Sequence, residues 1–231
     1  MKKIVSVFVL LCLVATVTAQ TYDFGGLVSA DCELNISKHW SFDAGTELRF
    51  NQNLSKYDRW KLEVGADYSF WKKRIKLGIN YDFLNYQDDE GIFDNRHRLS
   101  GASTFAYKLG DFRLSDRSIV QATFRDETRG DYKFNPKTYY RNRLELTWNI
   151  PHKPVKLYAS EELFCRLYYP EHNIIDELRT IFGVEYSINK HNSLTFFLRS
   201  DNEVQVSNPE NTLYLGVTYN FDTKLYKNDK D

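Results

Sequence analysis

The sequence predicts an all-β protein, an antiparallel transmembrane β-barrel of about 10–12 strands that follows a cleaved N-terminal signal peptide. Three observations carry this. From Trp40 to Phe221, segments of about a dozen residues alternate apolar and polar side chains, and each ends in a polar turn. The connections between them alternate short and long. Aromatic residues gather at the short-turn ends. Successive side chains of a strand point to opposite faces, so each segment carries one apolar and one charged face. Repeated segments of about ten such residues belong to membrane barrels, whereas soluble sheets use strands nearer five or six.

Residues 1–19 read as an export signal. Lys2 and Lys3 form a basic start, Ile4 to Ala15 an apolar stretch too short to cross a membrane as a helix, and Val17, Thr18 and Ala19 the small residues before a cleavage site at Gln20. Leu11 before Cys12 argues against a lipid anchor. The barrel then occupies 20–221 and a charged tail 222–231. Removing Lys2 and Lys3 takes the balance of 31 basic and 31 acidic residues to a net charge of −2, which disfavours nucleic acid as a partner. Charged residues at 27%, aromatics at 16% and a mean hydropathy of −0.54 exclude a helical membrane protein. A barrel accommodates them, because only alternate residues meet lipid.

The first extended segment, Phe24–Ile36, puts Val28, Ala30, Cys32, Leu34 and Ile36 on one face. Trp40–Phe50 follows, then Arg59–Phe70, whose Trp60, Leu62, Val64, Ala66, Tyr68 and Phe70 form the cleanest apolar face. A turn at Trp71–Lys73 leads to Arg74–Tyr86, and an acidic loop over 87–94 leads to Asn95–Tyr107. Asp111–Arg125 is least regular, because Asp116 and Ser118 interrupt its apolar face, and a bulge is expected there. The longest loop spans 126–138. Tyr139–Ile150 and Val155–Tyr168 are divided by Pro151 and Pro154, which cannot donate within a ladder. Asp176–Ile188, Ser193–Val206 and Asn211–Phe221 complete the set.

Short turns lie on the periplasmic side of such barrels and long loops outside. That assignment brings Trp40, Phe70, Trp71, Tyr107, Phe112, Trp148, Tyr186, Tyr219 and Phe221 to the periplasmic interface, where amphipathic rings prefer to sit. The expected location is the bacterial outer membrane, with its lipid as partner. Eleven segments can be counted, but bacterial single-chain barrels have even numbers, so Phe24–Ile36 has no settled place.

The polar faces concentrate arginine and carboxylate. The candidate lumen cluster is Arg49, Arg59, Glu63, Arg98, Arg117, Arg141, Arg143, Glu145, Glu162, Arg179, Glu185 and Arg199. Opposite charges there can brace the wall by pairing, which relieves the cost of burying each alone. An excess of arginine near Arg141, Arg143 and Arg179 would also suit an anion. Enzyme signatures are poor. His39, His97, His152, His172 and His191 lack metal-ligand spacing, and the sequence calls for no cofactor and no metal. His97 with Ser100 or Ser103 is the best hydrolase pairing available. Glu161 and Glu162 must face opposite ways, which leaves Glu161 on the apolar face without explanation. Cys32 and Cys165 read as thiols on the apolar face, with a disulfide as the alternative.

The last strand, with Tyr214, Gly216, Tyr219 and Phe221, resembles the terminal β-signal of outer-membrane proteins, which implies the barrel assembly machinery as a partner during biogenesis. The tail after Phe221 departs from that pattern. From about Tyr22 to Phe221 the chain is similar to the outer-membrane family catalogued as domain of unknown function 2490. The resemblance rests on Ser37–Phe42 leading to Glu47–Arg49, on Tyr140–Leu144 and Glu162–Phe164, and on Arg179 followed by Gly183 and Tyr186. It implies a barrel and supplies no activity. The expected function is a structural barrel or narrow channel with a salt-bridged lumen. A barrel hydrolase acting on lipid or envelope polymer and a soluble exported ligand-binding barrel are the alternatives.

Overall fold

The computed structural model describes residues 21–87, 91–125, 136–168, 173–207 and 209–226. The signal peptide, its cleavage site, most of the three longest loops and the end of the tail lie outside them. Eleven strands follow in order: β1 (Thr21–Asn35), β2 (Trp40–Asn51), β3 (Lys56–Phe70), β4 (Ile75–Gln87), β5 (Phe93–Leu109), β6 (Phe112–Arg125), β7 (Lys137–Asn149), β8 (Val155–Arg166), β9 (Ile174–Ser187), β10 (Asn192–Glu203) and β11 (Glu210–Lys224). Each pairs with its sequence neighbours, and β11 returns to β1 to close the barrel. Among the described residues no helix is long and apolar enough to cross a membrane.

Closure settles the place of the first segment. With eleven strands running alternately up and down, first and last point the same way, so their pairing has to be parallel. β1 joins β11 in parallel from Thr21↔Glu210 to Asn35↔Lys224, while β1 and β2 pair antiparallel. The barrel is therefore antiparallel everywhere except at this seam. Parallel pairing is slightly weaker per residue, and the length of the ladder offsets that. Inside the seam the hydroxyls of Ser29 and Thr218 are 2.7 Å apart. At its ends Asn35 donates to Asp222 at 3.0 Å, and the Asp23 carboxylate accepts from the Gln52 and Asn53 amides at 2.7 and 3.2 Å.

The outer wall is apolar around ten of the eleven strands, with Val28, Leu48, Val64, Ile79, Leu99, Val120, Leu144, Val184, Leu198 and Leu215 all exposed. A register slip of one residue would turn these inward, which is why the pairing is strongly specified. The turn-side girdle takes the form of ring contacts, with Trp40 against Tyr68 at 5.0 Å, Phe112 stacked on Trp148 at 5.9 Å and Trp71 against Phe105 at 6.4 Å. A second girdle sits on the loop side, where Phe83 lies between Trp60 at 6.1 Å and His97 at 5.6 Å. On β3, Trp60 and Tyr68 of the two girdles are about 20 Å apart along the axis for a strand tilted about 40°. That matches the apolar band of an outer-membrane barrel.

Two expectations need correction, and a third is met. Asp116 and Ser118 produce no bulge, since β6 keeps continuous register with β5 and β7 across them. Their polarity is met sideways instead, as the Asn142 amide donates to Asp116 at 2.6 Å and to Ser118 at 3.2 Å. The bulges fall at Arg49/Phe50 between β2 and β3, and at Phe164/Cys165 between β8 and β9. The first loop-side connection, Gln52–Ser55, is as tight as the turns, with Gln52, Asn53 and Leu54 in left-handed conformations, so short and long links do not alternate throughout. Cys32 and Cys165 are both free, and β1 and β8 stand too far apart around the wall for a bridge.

Lumenal glycines hold rings flat against the wall. Phe197 covers Gly216 on the neighbouring strand, Tyr158 covers Gly183 and Tyr214 covers Gly25. A Cβ at Gly216 would overlap the Phe197 ring. Gly216→Ala is expected to cost about 1–3 kcal/mol through overpacking, read as a lower urea midpoint for unfolding from lipid vesicles.

Candidate functional site

Inward side chains of the loop-side half build one connected belt. Glu162 of β8 is almost wholly buried and accepts from Arg141 of β7, whose Nε and Nη2 approach at 3.0 and 2.8 Å. Arg141 also donates to Gln121 of β6 at 2.8 Å. The other Glu162 oxygen lies 3.7 Å from Arg179 of β9, which pairs with Glu177 at 2.6 Å and with Asp201 of β10 at 2.8 Å. Phe164 is sandwiched between the guanidiniums of Arg141 and Arg179, at 4.4 and 4.5 Å. Asp201 also holds Arg199.

The belt then crosses the seam side of the barrel. Arg199 and Arg49 lie on Tyr214 of β11 at 5.3 and 5.2 Å, and Arg49 pairs with Glu47 at 2.8 Å. Asp58 bonds Arg59 at 2.7 Å and sits 3.9 Å from Arg49. Tyr86 of β4 is covered by Arg59 and Arg96 at 4.2 and 4.0 Å, and Arg96 pairs with Asp94 at 2.8 Å. Every strand but β1 contributes. Leu27, Leu84 and Ile119 fill space between these groups and are nearly inaccessible to water. The belt is thus a packed interior in which each of its guanidiniums has an anion or a ring, the condition under which buried charge is tolerated.

The two bulges supply members of this interior that strict alternation hides. Asp58 is the residue skipped between Arg49↔Arg59 and Phe50↔Tyr57, and Asp176 the one skipped between Phe164↔Glu177 and Cys165↔Ile175. Each extra residue turns its carboxylate inward, Asp58 to Arg59 and Asp176 to the Tyr139 hydroxyl at 2.8 Å. The sequence signal was there in adjacent charged pairs, Asp58-Arg59 and Asp176-Glu177, since two neighbours cannot both face the lumen of a regular strand.

Arg49, Arg59, Arg141, Glu162, Arg179 and Arg199 of the sequence-derived cluster meet in the belt. Glu63 and Arg98 stand in smaller pairs below it, Lys61 to Glu63 at 2.7 Å and Arg98 to Asp82 at 3.4 Å. Glu145 and Glu185 lie on the turn side, bonded to Thr147 at 3.3 Å and Lys156 at 2.7 Å. Arg117 and Arg143 face one another across β6 and β7, and neither forms an ion pair with a described residue. Of the terminal-strand signal, Tyr214 and Gly216 point inward while Tyr219 and Phe221 point outward on the turn side. Outside, Glu161 is half-buried and accepts from the Thr180 hydroxyl at 2.6 Å, which is how a carboxylate is held on the apolar wall.

No hydrolytic pairing forms at His97. Its Nδ1 is 2.7 Å from the Tyr81 hydroxyl on the outer wall, Ser100 faces the lumen, and Ser103 shares the face of His97 but lies about 20 Å along β5. Among the described residues no group of three or more His, Cys, Asp or Glu could hold a metal.

An apolar outer wall between two aromatic girdles, closed around a salt-bridged interior, defines an outer-membrane-type β-barrel. A family model described as "Protein of unknown function (DUF2490)" matches residues 24–212, and the chain belongs to that family. No curated protein matches it. Among solved structures, the chain is similar to a NanC porin, with 11% identity over 77% of this chain and 86% of that one and a TM-score of 0.47. A structure from work on the in-meso crystallisation of membrane proteins shows 16% identity over 85% and 80%, with a TM-score of 0.40. A porin refined at 1.8 Å resolution shows 15% identity over 78% and 57%, with a TM-score of 0.34.

Proposed function

We propose that the protein is a bacterial outer-membrane barrel, exported through a cleavable signal peptide and inserted by assembly machinery that reads Tyr214–Phe221, and that its role is structural, with a lumen braced shut on the loop side. The observation that carries this is the belt. Arg49, Glu162 and Arg199 are each less than a tenth exposed, so little water passes their level. The same outer wall argues against a soluble barrel, because its continuous apolar surface far exceeds what a water-soluble monomer exposes.

Reconstituted into planar bilayers, the native protein is expected to show no resolved conductance steps in concentrated potassium chloride. An Arg141→Ala, Glu162→Ala variant should acquire them, since it removes the pair spanning β7 and β8. Large steps from the native protein would end the sealed-barrel reading. Small ones would favour the narrow-channel alternative, which the water-accessible charges of the turn-side half support: Lys76 and Lys156 keep 39% and 40% of their side chains exposed.

A further inference from the structure

On the turn side of the lumen, besides Lys108 and Arg113 at the rim, two cross-strand pairs set like charges directly opposite each other, which is destabilising by itself. On one wall Arg117 of β6 is the direct partner of Arg143 of β7. On the other Glu33 of β1 is the direct partner of Asp43 of β2. In the closed order of eleven strands, β6 and β7 stand diametrically across from β1 and β2. Each pair is repulsive by itself, and the two repulsions have opposite sign.

Neither pair is closed by a salt bridge, although Arg143 also faces Glu162 of β8 and Lys61 and Lys76 stand near Asp31 and Asp43. Among the described residues, Arg117 and Arg143 have no ion-pair partner, and Glu33, Asp43 and the adjacent inward Asp31 make neither hydrogen bond nor ion pair. Asp31 is exposed although it points inward, so water reaches this part of the lumen. The charges of Glu63 and Asp67 on β3 are near enough to act on Arg117 across the interior. Asp31 and Asp43 lie flat over Gly45 and Gly65 of the next strands, which keeps their carboxylates low against the wall. Opposing backbones of an eleven-stranded barrel are about 20 Å apart, and side chains from both walls leave roughly 10 Å between the charges.

We propose that the turn-side half of the lumen binds a small zwitterion, its anionic end on Arg117 and Arg143 and its cationic end on Asp31, Glu33 and Asp43. Two guanidiniums side by side suit a carboxylate or phosphate. A plain anion would meet repulsion from the facing carboxylates, and a plain cation repulsion from the arginines. A solute carrying both charges meets an attractive wall at each of its ends. The belt above forms the closed end of the chamber, so solute enters from the turn side.

The inference rests on the barrel reading above, and a folding readout separates the two. The full-length protein in detergent would be titrated calorimetrically with 6-aminohexanoate, hexanoate and hexylammonium, after heat-modifiable gel migration has verified the folded barrel. The expected result is 6-aminohexanoate binding at least fivefold tighter than either singly charged analogue. Arg117→Gln with Arg143→Gln, and separately Asp31→Asn with Asp43→Asn, should each weaken it tenfold or more. Each variant removes a like-charge contact, and heat-modifiable migration checks that it stays folded. A folded native barrel that binds hexanoate as tightly, that binds none of the three, or whose 6-aminohexanoate affinity survives either double variant overturns the zwitterion site and leaves the sealed barrel standing. A chain that gives no heat-modifiable barrel overturns both.

Discussion

Glu162→Gln is expected to destabilise the barrel by about 3 kcal/mol, the low end of what breaking a buried ion pair costs. Glu162 is the carboxylate that Arg141 and Arg179 share, and it is 2% exposed. Its neutral replacement leaves Arg141 with Gln121 as its remaining side-chain acceptor. The effect stays at the low end because Arg179 keeps Asp201 and Glu177. The measurement is urea unfolding from phospholipid vesicles, followed by tryptophan fluorescence. Adding Arg141→Met should recover most of the loss, since replacing both members of a buried pair by apolar groups is often neutral or stabilising. A double variant as unstable as the sum of the single ones would mean that the two side chains act independently.

The second large effect concerns the opposite face. Val64 lies on β3 midway between Trp60 of the loop-side girdle and Tyr68 of the turn-side girdle, and it is 48% exposed. If the two girdles mark the membrane interfaces, Val64 meets the centre of the lipid. Val64→Arg is then expected to cost about 2–4 kcal/mol, whereas Ile75→Arg at the turn-side rim should cost about 1 kcal/mol or less. The same vesicle titration reads both. Equal costs at the two depths would mean that the outer wall does not face lipid along its length.

Much of this architecture was legible because it is written with a period of two. Trp60, Leu62, Val64, Ala66, Tyr68 and Phe70 announce their face without reference to any other segment, and Pro151 and Pro154 mark a boundary by what their backbone cannot do. The gathering of Trp40, Trp71 and Trp148 at strand ends was readable for the same local reason. The belt was readable in part. Glu162 and Arg179 could be assigned inward, but that they share one contact while Arg117 and Arg143 stay unpaired depends on which strands lie side by side and at what register.

Alternation alone determined that this chain is built of long membrane-type strands, which of their residues face outward and where the girdles lie, because each of those properties is set by neighbours one or two residues away. Tertiary structure decided three things that alternation cannot carry. It made β1 a wall strand through contacts such as Ser29 to Thr218, almost the whole length of the chain apart. It turned Asp58 and Asp176 inward at bulges that exist only as a mismatch between paired strands. It also packed the loop-side lumen into a buried belt while turn-side Asp31, Lys76 and Lys156 stay within reach of water. Burial inside a closed wall depends on what stands across the barrel, and no stretch of sequence contains its own opposite side.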